Sequence, residues 1–180
     1  MKVAIVTQDV FGDRLAGPAI RALAMGRALA AEGHEVQVHS TGGAASSSDL
    51  VVAGRLASGT ATAIGRSADV VVVQGDVLDA CPGLGRGTGA LVADLYDPFE
   101  LEGLVRGVDL PVRARYGATR RALSVLSGQL ARGDLFLCAS ERQRLFWLGH
   151  LDAAGRINPA TYDADPTLAR LLAVVPFGID

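Results

Sequence analysis

Short apolar runs rich in β-branched residues recur along this chain, separated by stretches of helical spacing, and that alternation restricts the fold more than any other feature. Val3-Ala4-Ile5-Val6 opens the series. Ile20, Leu23, Ala24 and Ala28 then recur at helical spacing until Gly33 ends the pattern, so the first unit reads strand, loop, helix. Glu35-Val36-Gln37-Val38-His39 alternates as a half-buried strand. Val70-Val71-Val72-Val73, between Asp69 and Gln74, is apolar at consecutive positions, as expected of a strand covered on both faces in a parallel sheet. Ala90 to Asp94, Leu135 to Cys138 and Leu171 to Val175 read as further strands, Val112 to Leu130 as a long helix, and Ser140 onward as another. The alternation implies right-handed βαβ units in an open α/β sheet of the Rossmann-like, doubly wound, mainly parallel kind. Helices should cover both faces, with the functional crevice outside the carboxyl ends of the strands. Thr41 to Ser48 suits a surface loop, and Leu50 to Ile64 holds strand and helix pieces that the pattern does not separate.

Composition narrows the function classes. A chain of 180 residues, 49% hydrophobic and 20% charged, can bury the core of one domain over residues 1–180. Its formal charge of -2 sets up no field that attracts polyanions, and its arginines are scattered, so a nucleic-acid partner is not expected. No apolar run approaches the ~20 residues that span a bilayer. The amino terminus lacks an apolar signal region and a cleavage site, which makes a cytoplasmic location the expectation. Cys81 and Cys138 have neither CxxC spacing nor a nearby His, and His34, His39 and His150 have no partner at ligand spacing. Neither a disulfide framework nor a metal site is expected, and Cys138 reads as a buried strand residue.

The candidate site residues follow strand exits. After the first strand, the loop from Gln8 to Gly17 contains Gly12 and Gly17, with Pro18 at the first position of the helix. Backbone can approach a ligand closely at glycine, and a helix amino terminus offers free N–H groups to an anion such as a diphosphate. An ordinary βα loop is the other reading. The loop lacks GxGxxG, the second strand ends in His39-Ser40 rather than an acidic residue, and no GxxxxGK[ST] occurs, so NAD and P-loop nucleotide binding are not expected. The cluster Gly83, Gly85, Gly87, Gly89 precedes a strand and reads as a mobile connector.

Asp94-Leu95-Tyr96-Asp97-Pro98-Phe99-Glu100-Leu101-Glu102 places four carboxylates at and beyond a strand exit, where sugar hydroxyls would find acceptors. Asp94 and Asp97 are the candidate catalytic residues, although Asp97 also reads as a helix cap and the glutamates as a solvated surface. Tyr96, Arg21, Ser140 and Glu141 are candidates for acceptor or sugar binding, with Ser140 doubling as a helix cap whose capping box Gln143 would complete. Arg113, Arg115, Arg120 and Arg121 could meet an anionic acceptor or lipid headgroups, or simply form a solvated face.

Several of these segments resemble one family. Met1-Lys2-Val3-Ala4-Ile5-Val6, the Gly17-Pro18 loop and Leu29-Ala30-Ala31-Glu32-Gly33-His34-Glu35-Val36-Gln37-Val38 are similar to the start of family-four GT-B retaining glycosyltransferases. Asp94 to Pro98, Cys138 to Arg144 and the closing Val175-Pro176-Phe177-Gly178-Ile179-Asp180 resemble the same family, so the likeness runs in order along nearly the whole chain. The resemblance implies two Rossmann-like domains facing across a cleft, the first binding the acceptor and the second, absent from this chain, gripping a nucleotide diphosphate sugar. It implies hexose transfer with retention to a sugar, lipid or small-molecule acceptor, with no cofactor and no obligatory metal, and allows peripheral membrane contact. The family's donor-phosphate loop maps onto Gly17 and Gly12. Where the family often carries a histidine that contacts the donor sugar, this chain has Asp94, Tyr96 and Asp97. On this reading the chain ends where a second domain would begin and is inactive alone. A free-standing Rossmann-like module that binds a nucleotide or small molecule is the alternative.

Overall fold

The valine- and isoleucine-rich runs form one parallel sheet. In a computed structural model that describes residues 1–12, 14–42, 51–56 and 58–177, its strands are β1 (Lys2–Thr7), β2 (Glu35–Ser40), β3 (Val51–Arg55), β4 (Val70–Gln74), β5 (Ala90–Asp94), β6 (Leu135–Cys138) and β7 (Leu172–Val174). They pair in the order β3-β2-β1-β4-β5-β6-β7, every neighbouring pair parallel. The chain therefore runs outward from β1 to one edge, returns to the centre, and runs outward from β4 to the other edge. The order reverses between β1 and β4, which pair Ile5 with Val72.

Right-handed crossovers fix where the helices go. The step from β1 to β2 carries α1 (Gly17–Ala31) onto one face, where Ala19, Ala22 and Leu23 pack on Val3, Ile5, Val36, Val38 and Val72. Steps in the opposite direction carry α2 (Ser58–Ser67), α5 (Val112–Arg132) and α6 (Glu141–Ala153) onto the other face. There Ile64, Leu126, Leu130, Trp147 and Leu151 cover Ala4, Val6, Val71, Val73 and Phe136. Successive valines of β4 thus serve two different cores, which is why that strand is apolar throughout. Among the described residues, three short helices complete the fold: α3 (Val77–Ala80), α4 (Phe99–Arg106) and α7 (Pro159–Ala164).

The α/β, doubly wound, parallel architecture is as expected. Pro18 starts α1, and Gly33, at φ +83°, ends it by letting His34 N–H reach the Leu29 carbonyl at 3.2 Å. The unresolved pattern between Leu50 and Ile64 contains β3 and the first part of α2, while most of the expected loop from Thr41 to Ser48 lies outside the described residues.

One expectation is overturned. The glycines from Gly83 to Gly89 are not a mobile connector: Pro82–Arg86 is a 3-10 turn pressed against α2. A Cβ on Gly83 would collide with Thr62 Oγ1, one on Gly87 with the Gly65 carbonyl, and one on Gly89 with the Ala68 carbonyl. These glycines allow two backbones to touch. Both cysteines are free and buried, and among the described residues no helix is long and apolar enough to cross a membrane.

Candidate functional site

A cleft of about 400 Å3 opens outside the carboxyl ends of β1 and β5, at the edge of the switch point. Its walls come from the loop after β1 (Gln8, Asp9), the start of α1 (Gly17, Pro18), the loop after β5 (Tyr96, Asp97) and one side of α4 (Glu102, Arg106). Each segment follows a strand whose register the sheet holds, so side chains remote in sequence converge.

Below the cleft lies a buried polar network. Arg21, in the second turn of α1, extends its Nε to Asp94 Oδ2 at 2.7 Å and its Nη2 to Asp94 Oδ1 at 3.0 Å. Gln74, at the end of β4, donates to Asp94 Oδ2 at 2.9 Å. Arg21 and Asp94 are each 3% exposed. A buried ion pair is tolerable only when its geometry is good and its other valences are filled, and both conditions are met here. The remaining Arg21 nitrogen, Nη1, donates to the carbonyls of Val175 at 2.9 Å and Pro176 at 3.4 Å. The Tyr96 ring lies over the guanidinium at 5.1 Å and beside the Phe177 ring at 6.0 Å. Arg21 therefore ties β5, the Tyr96 loop and the segment after β7 to α1.

The cleft surface is acidic. Asp9 sits between two elements: its carbonyl accepts from Ser40 Oγ and its carboxylate from Ala19 N–H at 3.4 Å, the latter in the first turn of α1. Asp97 is half-buried, and its carboxyl is pushed up to about 7, first by burial and then by hydrogen bonding to the Glu102 carboxylate and by that group's charge. Glu102 shifts the other way, held below the usual carboxylate range by that hydrogen bond and by its ion pair with Arg106. Asp97 therefore keeps its proton up to about neutral pH. Burial and the charges of Asp97, Asp94 and Asp9 keep the Tyr96 hydroxyl protonated far above its ordinary range.

The structure brings together Gly17, Tyr96 and Asp97 of the residues singled out from sequence, and sets the others apart. Asp94 does not face the cleft; it is the buried partner of Arg21, so both act by positioning Tyr96 and the neighbouring backbone. Asp97 is not the side-chain cap of α4, whose start is marked by Pro98. Ser140 and Glu141 are exposed and absent from the cleft wall. Ser140 Oγ caps α6 by accepting from Gln143 N–H at 3.2 Å, and the Gln143 side chain reaches Tyr96 O and Ala139 N, both at 2.8 Å. Gly12 is also outside the cleft wall. The first turn of α1, expected to receive a diphosphate, already binds the Asp9 carboxylate. An anion at Gly17 would have to displace it and lie among Asp9, Asp97 and Glu102 with Arg106 as the cleft's countercharge.

Gln8, Asp9, Gln74 and Arg106 were not selected from the sequence, and Glu102 was set behind Asp94 and Asp97 there as solvated surface. Their signal was positional: Gln8 and Asp9 directly follow β1, Gln74 ends β4, and Glu102 and Arg106 stand one helical turn apart on α4. Among the described residues, no three His, Cys, Asp or Glu side chains gather closely enough to hold a metal ion.

Fold and cleft together define a Rossmann-like α/β protein with a polar crevice at its switch point. No protein-family model matches the sequence, and none of the curated proteins matches it.

Proposed function

We propose that this chain is the acceptor-side half of a retaining GT-B glycosyltransferase, which in its intact form transfers a hexose from a nucleotide diphosphate sugar to a hydroxyl acceptor. The observation that carries the reading is the wall of the switch-point cleft. Asp9, Asp97 and Glu102 supply hydrogen-bond acceptors for sugar hydroxyls, and the amide of Gln8 is both donor and acceptor. The ordered likeness of the strand exits to the GT-B family supports the same assignment. On this reading Asp97 orients a hydroxyl at the reacting centre, with Tyr96 beside it, and the Arg21–Asp94 pair holds that loop rigid. The acidic surface favours the hydroxylated part of the substrates, so charge stabilisation of the leaving diphosphate falls mainly to the partner domain. Gly17 and Pro18 contribute backbone at the cleft edge.

The test is calorimetric titration of the 180-residue chain, and of the full reading frame that encodes it, with a panel of nucleotide diphosphate sugars while sugar release is followed. Turnover in the full-length protein alone, reduced at least tenfold by Asp97→Asn, supports the assignment. Tight nucleotide binding by the 180-residue chain itself, with no transfer by either protein, would replace it with a self-sufficient binding module.

A further inference from the structure

A second cavity lies on the other side of α4. Residues 100, 103 and 104 share one stripe of that helix, on a different side from Glu102 and Arg106 of the cleft wall. The stripe faces α5 across an inner chamber of about 60 Å3, lined by Glu100, Gly103 and Leu104 from α4 and by Arg115, Thr119 and Ala122 from α5. Leu104, Arg115 and Thr119 also line an outer chamber of about 320 Å3, which Val112 and Tyr116 complete. The outer chamber alone reaches the lower end of the range typical of small-molecule pockets, about 300–1,000 Å3.

Two polar groups of this cavity have no hydrogen-bond partner in any other residue, and packing does not call for one of its glycines. Glu100 is 4% exposed, yet neither carboxyl oxygen meets a donor from any other residue. Arg115 Nε is buried and meets no protein acceptor. Gly103 sits inside α4, where glycine is unfavourable relative to alanine, although a Cβ there would meet nothing within 4 Å. Packing does not require that glycine, which is exposed and lines the inner chamber. Buried polar groups without partners are rare enough in native proteins that each calls for an explanation.

We propose that the α4–α5 cavity binds a neutral, hydroxylated small molecule with an apolar flank, hydrogen-bonded between Glu100 and Arg115. Hydroxyls both donate and accept, so one hydroxyl seated in the inner chamber can satisfy the Glu100 carboxyl and Arg115 Nε together while the rest of the molecule occupies the outer chamber. An ammonium ion would satisfy Glu100 but meet the Arg115 charge, and an anion would satisfy Arg115 but meet Glu100. Leu104, Val112 and the exposed Tyr116 ring provide the apolar wall. This site is independent of what the cleft binds, and its test does not require glycosyl transfer.

The experiment is a titration of the 180-residue chain with phenyl β-D-glucopyranoside, followed by calorimetry and by amide chemical shifts of Gly103, Gly107 and Thr119, with phenethylammonium as the cationic control. Saturable binding is expected, weakened at least tenfold by Glu100→Gln and severalfold by Gly103→Ala. Both variants should fold with Tm unchanged or raised, since one removes a buried carboxyl and the other a mid-helix glycine, so loss of binding cannot be ascribed to unfolding. Failure of the glucoside to bind up to its solubility limit, equal binding by all three proteins, or tighter binding of phenethylammonium would each overturn the proposal.

Discussion

Arg21 and Asp94, 73 residues apart in sequence, meet in a buried two-pronged ion pair at 2.7 and 3.0 Å, and through it α1 is fastened to the end of β5. Removing one partner strands the other charge away from water. Asp94→Ala is therefore expected to cost about 3–5 kcal/mol, lowering Tm on the order of 10 °C for a chain of this size. Replacing both residues with leucine and methionine should cost less than Asp94→Ala alone, because no charge is left buried. Thermal unfolding of the three proteins checks this, and an Asp94→Ala loss below about 1 kcal/mol would show that the pair does not hold the cleft floor.

The glycine-rich turn offers a steric prediction. A Cβ at Gly87 would overlap the Gly65 carbonyl, so Gly87→Ala must push the 3-10 turn off α2, at an expected cost of about 1–3 kcal/mol. Gly117, inside α5, meets nothing within 4 Å at its Cβ position, and Gly117→Ala should stabilise the chain by about 0.5–1 kcal/mol. Urea unfolding should move the two midpoints in opposite directions. If Gly87→Ala were neutral, the turn would be loose after all.

These cases mark where the sequence was informative. A run such as Val70 to Val73 fits a parallel strand covered on both sides, so strand identity and parallel pairing could be read directly. The glycine cluster misled because sequence shows flexibility at glycine but not the backbone that will lie against it. Asp94 and Asp97 were indistinguishable on paper: both are carboxylates near a strand exit. Burial separates them, since Asp94 ends β5 pointing at α1 while Asp97 stands three residues on, beside Glu102. Asp9 was overlooked as a ligand of α1 because its partner, Ala19, depends on how the chain returns between β1 and α1.

Asp97 carries a pH dependence whose sign follows from its environment. Its carboxyl titrates near 7 in the folded chain against an ordinary value of 3.8, because burial and then the neighbouring Glu102 disfavour its ionised form. Below about pH 4 both folded and unfolded chains hold the proton and nothing is lost. Between about 4 and 7 the unfolded chain releases it while the folded one keeps it, so the Asp97 contribution to stability falls as pH rises, then levels off. Glu102, held low, contributes in the opposite sense and is coupled to the same proton. Asp97→Asn removes the rise in cost, so the stability of the variant relative to the parent should increase from pH 4 to pH 7. Urea unfolding of both proteins across that range measures it; a constant difference would mean that Asp97 is ionised throughout.

Tyr96 joins the buried network to the cleft, and its ring and hydroxyl can be tested apart. The ring covers the Arg21 guanidinium at 5.1 Å and lies 6.0 Å from the Phe177 ring. Tyr96→Phe keeps both contacts and should leave stability nearly unchanged, whereas Tyr96→Ala loses the cation–π and aromatic contacts and should cost about 1–3 kcal/mol. The loss should also be local. Arg21 Nη1 holds the Val175 and Pro176 carbonyls, so uncovering Arg21 to water weakens its grip on the segment after β7. Val175 N–H donates to the Cys138 carbonyl at 2.8 Å and reports on that segment through its exchange rate. It should exchange at least several times faster in Tyr96→Ala than in Tyr96→Phe, while amides of β1 and β4 change little. Uniformly faster exchange throughout the sheet would instead mean that Tyr96 supports the whole domain. With exchange unchanged in Tyr96→Phe, any loss of substrate binding in that variant could be assigned to the hydroxyl alone, because the ring and the network beneath it would still be in place.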